Sequence, residues 1–154
     1  THIYSSRAIH HHVLFADTVE LVCRQDHPSL SAPLTEEKLK AVDHTLLMLE
    51  GQNFSLVRQR IQDLFPERQI NFSSYNIFLL ASLIASSDLL GMMPTRFYTL
   101  FSRCWPLKRI PYAPLSDERI DFSLHYNKLS LRDPVLENVI DVIRDAFRTG
   151  DVAA

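Results

Sequence analysis

The chain has 154 residues, of which 46% are hydrophobic and 22% charged, a composition typical of one folded globular unit. Its net charge of −2, with no cluster of Lys and Arg, excludes strong binding of this chain alone to a nucleic-acid backbone. The longest apolar run, Ile77 to Ile84, is well short of the roughly 20 residues that span a bilayer. Two reduced cysteines and no secretory start favour a cytoplasmic protein, and the opening without Met suggests a piece of a longer one.

The first 12 residues are polar and contain four histidines, His2 and His10 to His12. These imidazoles could form a metal site or could lie on an exposed loop. Adjacent residues of an extended chain point to opposite sides, so three consecutive histidines do not readily converge on one ion. We therefore predict an exposed loop here, with no metal or cofactor.

A mostly buried strand is predicted over Val13 to Arg24, where β-branched and apolar residues recur, and it ends before Pro28. Thr35, followed by two glutamates, predicts a short helix that ends near Val42. His44 to Leu49 is the next apolar strand. A second helix, capped by Asn53 or Ser55, is predicted to end at Phe65.

The stretch from Gln69 to Trp105 is predicted as strand, helix, strand, helix. Its first strand ends in Ser73 and Ser74, which we expect to cap a helix over Asn76 to Ser86. Leu89 to Met93 is a continuously apolar second strand, and Pro94 and Thr95 turn the chain into another helix. Turns of this kind gather at the carboxyl edge of parallel strands, where ligands bind.

The remaining chain predicts a strand over Leu107 to Tyr112, an alternating strand over Ile120 to Asn127, and a last helix that Asp133 and Pro134 begin. Strands alternating with helices predict an α/β fold with a mainly parallel sheet. The chain has only three glycines, which excludes a glycine-rich phosphate loop. The neighbouring pairs Asp26-His27 and Asp43-His44 could suggest acid–base catalysis, but no nucleophile stands beside them, so we predict no enzyme.

Four stretches together resemble the effector-binding domain of LysR-type transcriptional regulators. They are LFADTVELVCRQDHP, ASSDLLGMMPTRFYTLF, PYAPLSDERIDFSLHYN and DPVLENVIDVIRDAF. The first is similar to the family's strand that ends in His-Pro, and the second to its Ser-Asp element that ends in Pro. Their order and spacing extend the resemblance from Val13 to Phe147.

The resemblance implies a periplasmic-binding-protein-like architecture of two subdomains. In this reading residues 1–31 are part of subdomain I, 32–108 are a nearly complete subdomain II, 109–150 return to subdomain I, and 151–154 are a tail. The family's DNA-binding domain and the first part of subdomain I are expected to be missing.

In the family the effector lies in the cleft between subdomains, against the turns that follow the strands of the second subdomain. Carried over, this implies nine effector-binding residues, which are Gln52, Asn53, Phe54, Ser73, Ser74, Tyr75, Met93, Pro94 and Thr95. Their hydroxyl and N–H groups could hold a carboxylate, and Phe54 and Tyr75 could pack on an aromatic body. Alternatively, Ser74 and Thr95 are helix caps alone.

The resemblance therefore implies a small-molecule-sensing and oligomerisation domain of a DNA-binding regulator, with an organic or aromatic acid as effector. The implied self-assembly is a homodimer or homotetramer, and DNA is contacted only through the missing N-terminal domain. The helix over Asn76 to Ser86 is apolar nearly all round, so a subunit neighbour or the rest of its own domain must cover it. The alternative function is a bilobed solute-binding protein without a DNA-binding domain.

Overall fold

The computed structural model describes residues 8–31, 34–48 and 52–148, in which strands and helices alternate as predicted. The strands are β1 (Ile9–Arg24), β2 (His44–Leu47), β3 (Ile70–Ser74), β4 (Gly91–Pro94), β5 (Leu107–Ile110) and β6 (Arg119–Asn127). The α-helices are α1 (Glu36–Ala41), α2 (Gln52–Leu64), α3 (Ile77–Ala85), α4 (Thr95–Phe101) and α5 (Pro134–Arg148). The sequence did not predict two 3₁₀ helices, Ala113–Leu115 and Lys128–Arg132.

Two compact units divide the chain. The larger unit is residues 17–120, and the smaller one combines residues 1–16 with 121–154. Strands β1 and β6 each cross the boundary and therefore contribute residues to both units. The subdomain boundaries inferred from the family resemblance stay a prediction, because compactness within one chain does not define the family's subdomains.

The larger unit contains two joined sheets, one of β2 and β3 and one with the strand order β4-β1-β5. β2 and β3 are parallel, with Leu47 opposite Ser74, and a single parallel bridge from His44 to Leu90 joins β2 to the residue before β4. β1 is antiparallel to both of its neighbours in this unit, β4 and β5. The prediction of a mainly parallel sheet is therefore correct for the pairing of β2 with β3 and with Leu90, and wrong for β1, which pairs antiparallel with β4 and β5.

The core of the larger unit lies where α3 packs on the sheet. Its buried members are Val22, Leu47, Ile77, Leu80, Ala81, Ile84, Met93, Phe101 and Leu107. Full burial of one such leucine or isoleucine stabilises the fold by about 1.5–3 kcal/mol. The buried side chains of α3 therefore hold this helix against β4. Helix α4 begins at the residue that follows β4, so the same packing positions its start.

Gly91 begins β4 at the point where α3 comes closest to it. A Cβ atom at this position would collide with Cδ1 of Ile84 and lie 2.7 Å from Oγ1 of Thr45. Glycine is favoured here because a side chain at this position would force the buried side chains of Ile84 and Thr45 to move.

The smaller unit shows why the prediction for the histidine run was wrong. His10 to His12 belong to β1, which pairs with β6, and the backbone N–H of Lys128 donates to the carbonyl of Ala8 at 2.8 Å. Phe15 stacks on Phe122, with ring centroids 4.8 Å apart. A partner more than 100 residues away supplies the hydrogen bonds of this strand segment, so local residue preferences could not reveal it.

The last helix, α5, begins as predicted. The carboxylate of Asp133 accepts a hydrogen bond from the backbone N–H of Val135 at 2.9 Å, and Pro134 occupies the first helical position. Phe147 stacks on Phe15 at 5.1 Å and so connects the end of α5 to β1. Gly150, predicted as the helix stop, lies outside the described residues.

Among the described residues, no helix has both the length and the apolar character required to cross a membrane.

Candidate functional site

The carboxyl ends of β2, β3 and β4 lie at one edge of the two joined sheets in the larger unit. Leu47 at the end of β2 pairs with Ser74 at the end of β3, and β4 runs parallel to β2 on the other side. The turns that follow β3 and β4 therefore emerge at the same edge, with β2 between them. This edge contains six of the nine predicted effector-binding residues, and the ends of parallel strands are the usual place for a ligand site.

The turn from β3 to α3 exposes two of its three predicted residues. Ser73 is exposed, as is Tyr75, of which 62% is accessible to solvent. Ser74 is half-buried, and its Oγ accepts the backbone N–H of Asn76 at 3.0 Å. A hydroxyl and an aromatic ring, two positions apart in the chain, are thus exposed at this edge.

The helix cap at this turn differs from the prediction. Asn76, not Ser73 or Ser74, is the N-cap of α3, because its Oδ1 accepts the N–H groups of Phe78 and Leu79 at 3.0 and 3.2 Å. Asparagine competes well for this position, since its short amide reaches the first free N–H groups. Ser74 instead stabilises the turn that precedes the cap.

The turn from β4 to α4 buries two of its three predicted residues. Met93 is 1% exposed and belongs to the core, and Pro94 is likewise fully buried. Thr95 is half-buried, with its Oγ1 2.7 Å from Oγ1 of Thr18. The same hydroxyl donates to Oε1 of Glu20 at 3.3 Å. Of the three predicted residues in this turn, Thr95 is the one whose side chain a ligand could reach. The ligand would replace one of the hydrogen bonds that the Thr95 hydroxyl makes.

Asp17 is a member of this edge that the sequence did not reveal. It is 7% exposed, and its Oδ2 accepts the backbone N–H of Arg96 at 3.1 Å, while Oδ1 accepts that of Thr18 at 2.9 Å. Pro94, the N-cap of α4, makes no side-chain cap of its own. Asp17 thus supplies the cap from a neighbouring strand and places a negative charge at the start of α4. The proline before Thr95 is a sequence signal that a cap must come from elsewhere, although it does not say from where.

The third predicted group follows β2. The side chains of Gln52 and Asn53 lie outside the described part of the chain, and Phe54 is half-buried in the first turn of α2. The structure therefore brings together the turns after β3 and β4, and Phe54 is the one described side chain of the group after β2.

Both histidines of the two Asp-His pairs are buried, as is the thiol of Cys23. His27 is 3% exposed, with Nε2 3.0 Å from the carbonyl of Asp88. His44 is 2% exposed, and burial lowers its pKa below the ordinary value, so the ring is neutral at pH 7. Cys23 and Cys104 are both free, and burial raises the pKa of the Cys23 thiol to about 11. Across residues 8–31, 34–48 and 52–148, no three metal-binding side chains converge.

Comparison with known proteins decides the family. The model of the LysR substrate binding domain matches residues 2–148. The chain therefore belongs to the LysR substrate-binding domain family. The resemblance seen in the four sequence stretches is thereby confirmed.

Two curated relatives of this LysR domain come from Escherichia coli (strain K12). It is similar to the uncharacterized HTH-type transcriptional regulator YbeF, with 56% identity over 143 residues, which cover 93% of this chain and 45% of the relative. The regulator YbdO is 29% identical over 128 residues, 82% of this chain and 42% of that protein. The chain thus spans less than half the length of these relatives, which are named transcriptional regulators and not enzymes.

Solved structures confirm the predicted fold of the LysR domain. The CrgA regulatory domain, from a LysR-type transcriptional regulator of Neisseria meningitidis, superposes with a TM-score of 0.72 at 14% identity, covering 93% of this chain and 71% of that one. LysR regulatory domains have the periplasmic-binding-protein-like fold, as the sequence predicted. At this identity the likeness concerns the fold alone.

Proposed function

We propose that this LysR domain is the small-molecule-sensing and self-associating part of a transcription regulator that acts in the cytoplasm. The observation that carries the proposal is the exposed turn Ser73 to Tyr75, which stands at the carboxyl edge of the sheet in a chain that the family model covers from residue 2 to 148. A sensor needs a ligand surface and two states with different affinity for the ligand, and it needs no catalytic group.

The proposed effector is an organic or aromatic acid that contacts the turns after β3 and β4. The hydroxyl of Ser73 is available to a carboxylate, and the exposed ring of Tyr75 offers an apolar surface for stacking. Thr95 would join by exchanging its hydrogen bond to Thr18 for one to the ligand. The backbone N–H of Arg96 is already taken by Asp17, so the hydroxyl groups, rather than the start of α4, hold the acid in this proposal.

Self-association is proposed to use the outward face of α3. Phe78 is 56% exposed and Leu79 is 49% exposed, although both lie on a helix whose other face is in the core. Burying two large apolar side chains against a second copy would stabilise a homodimer or homotetramer.

DNA contact is proposed to come from a helix-turn-helix segment of a longer protein, because the two E. coli relatives are HTH-type transcriptional regulators. The charge of this chain agrees with that division of roles, because a net charge of −2 gives it no attraction for phosphates.

A thermal-shift experiment tests the sensing function. A panel of aromatic and aliphatic acids is titrated into the protein at constant ionic strength. A ligand at 100 times its dissociation constant adds about 2.7 kcal/mol to the free energy of unfolding. For a chain of this size that raises the melting temperature by roughly 5–10 °C. A flat response across a broad panel contradicts the sensing function.

A further inference from the structure

A surface depression lies in the larger unit beside the turn after β4, since the Thr95 hydroxyl contacts two of its lining residues, Thr18 and Glu20. Its volume is about 520 Å³, which falls within the range of small-molecule pockets. Its lining comes from β1, from the end of β5 and from the 3₁₀ helix that follows, namely Thr18, Val19, Glu20, Leu21, Ile110, Pro111, Tyr112, Ala113, Leu115 and Ser116. None of the nine predicted effector-binding residues lines it.

The floor of this depression is apolar. Val19, Leu21, Ile110 and Leu115 are each at most 4% exposed. The half-buried ring of Tyr112 stands beside them. A ligand with a flat apolar or aromatic body would therefore lie on this floor and shield the half-buried ring of Tyr112 from water, which is favourable in proportion to the apolar area covered.

Glu20 is the one ionisable side chain in the lining other than the Tyr112 phenol. The side chain is 21% exposed. Its Oε1 has two long contacts, 3.3 Å from the Thr95 hydroxyl and 3.5 Å from Nη1 of Arg109. Both oxygens of Asp17, in contrast, are held by backbone N–H groups at 2.9 and 3.1 Å.

Arg109 does not neutralise Glu20 strongly. The Arg109 side chain is 55% exposed, and its guanidinium carbon lies 5.5 Å from the centroid of the Tyr98 ring. An exposed ion pair at 3.5 Å contributes little to stability, and Tyr98 offers Arg109 a second partner. A cation supplied by a ligand can therefore replace Arg109 at the carboxylate without leaving an unpaired buried charge.

We propose that this depression is a binding site for a small organic cation, an amine, amidine or guanidine on an apolar or aromatic body. The cationic group pairs with the carboxylate of Glu20, and the body lies over Ile110 and against Tyr112. The site goes beyond the proposed sensing of acids, because it selects the opposite ligand charge and has its own lining, although it borders the acid surface at Thr95.

The test compares three probes of the same shape and different charge, benzamidine (cationic), benzamide (neutral) and benzoate (anionic). Binding is followed at constant ionic strength through the backbone amide NMR signals of Tyr112 and Ser116, which report on this depression alone. Benzamidine is expected to bind more tightly than benzamide by on the order of tenfold, and benzoate more weakly than benzamide.

Three variants locate the interaction. Glu20→Gln keeps the shape and removes the charge, so benzamidine and benzamide should then bind equally. Glu118→Gln is the matched control, since Glu118 is a half-buried carboxylate with a long ion pair to Arg60 but does not line the depression. It should leave the preference for benzamidine unchanged. Ala113→Trp should fill the depression and abolish binding of all three probes.

The proposal is overturned if benzamidine does not shift the signals of Tyr112 and Ser116, or if its advantage over benzamide survives in Glu20→Gln. Either result leaves acid sensing at Ser73 to Tyr75 untouched, because that function is read from other amide signals. Conversely, a flat response to the acid panel does not affect the comparison of benzamidine with benzamide.

Discussion

Oδ2 of Asp17 accepts a hydrogen bond from the backbone N–H of Arg96 at 3.1 Å, across a sequence separation of 79 residues. This contact joins β1 to the first turn of α4 and gives that helix the cap that Pro94 does not provide. Removing a cap of this kind costs about 0.5–2 kcal/mol. Asp17→Ala is therefore expected to lower the free energy of unfolding by that amount in urea titrations, and Asp17→Asn by less, because an amide oxygen can still accept the bond.

The matched control for Asp17 is Asp117→Ala, which removes an exposed aspartate from a loop. The free energy of unfolding of this variant is expected to change by no more than about 0.5 kcal/mol. Equal losses for Asp17→Ala and Asp117→Ala would show that the bond to Arg96 does not stabilise the fold.

A second prediction concerns the contact between α3 and β4. Gly91→Ala places a methyl group against Cδ1 of Ile84 and is expected to destabilise the protein by about 1–3 kcal/mol, as overpacking does. Ile84→Val removes that Cδ1 atom. The double variant should therefore lose less free energy of unfolding than the sum of the losses in the two single variants. Losses that add within about 0.3 kcal/mol, the usual error for independent sites, would refute the clash.

The pH dependence of stability provides a third prediction. Burial lowers the pKa of His44 in the folded protein below its ordinary value of 6.5, so the unfolded chain binds the proton more readily. The free energy of unfolding should therefore fall as the pH decreases through 6.5, and it should be fully restored above that value.

His44→Gln is expected to flatten this dependence between pH 7.5 and pH 5, measured by denaturant unfolding at several pH values. His125→Gln, which changes an exposed histidine, should leave the slope as it is. An unchanged slope in His44→Gln would assign the pH dependence to other groups.

The proposed interface on α3 leads to a fourth prediction. Phe78→Asp puts a charge on the exposed face of the helix and should shift the protein towards monomer in sedimentation velocity experiments, because burying an unpaired carboxylate at an interface is costly. Leu56→Asp, a change of similar size at an exposed leucine of α2, is the control and should leave the sedimentation coefficient unaltered. An intact oligomer in Phe78→Asp would remove α3 from the interface.

The sequence predicted features whose causes are local. Thr35 caps α1 by accepting the N–H of Lys38, and Asp133 caps α5, because each cap involves residues within a few positions. At the β3–α3 turn three polar residues compete within four positions, and the sequence did not single out Asn76. Boundaries of this kind are commonly displaced by one or two residues.

Long-range pairing explains what the sequence missed. The first residues of β1 are strand because β6 lies beside them, and Asp17 reaches α4 because β1 and β4 pair with Val19 opposite Pro94. The burial of Met93 depends on packing with α3, and Pro94 is buried opposite Val19 of β1. The nine predicted effector-binding residues stay a prediction, and of those the structure describes, Ser73, Ser74, Tyr75, Thr95 and Phe54 keep a side chain that is not buried in the core.

Amide chemical-shift mapping of the acid panel tests the sensing surface most directly. Acids that raise the melting temperature should move the backbone signals of Ser73, Ser74, Tyr75 and Thr95, and Ser73→Ala together with Tyr75→Ala should weaken binding without changing the stability of the free protein. Stabilising acids whose shifts fall elsewhere on the chain, with these four signals unmoved, would contradict the proposed effector surface.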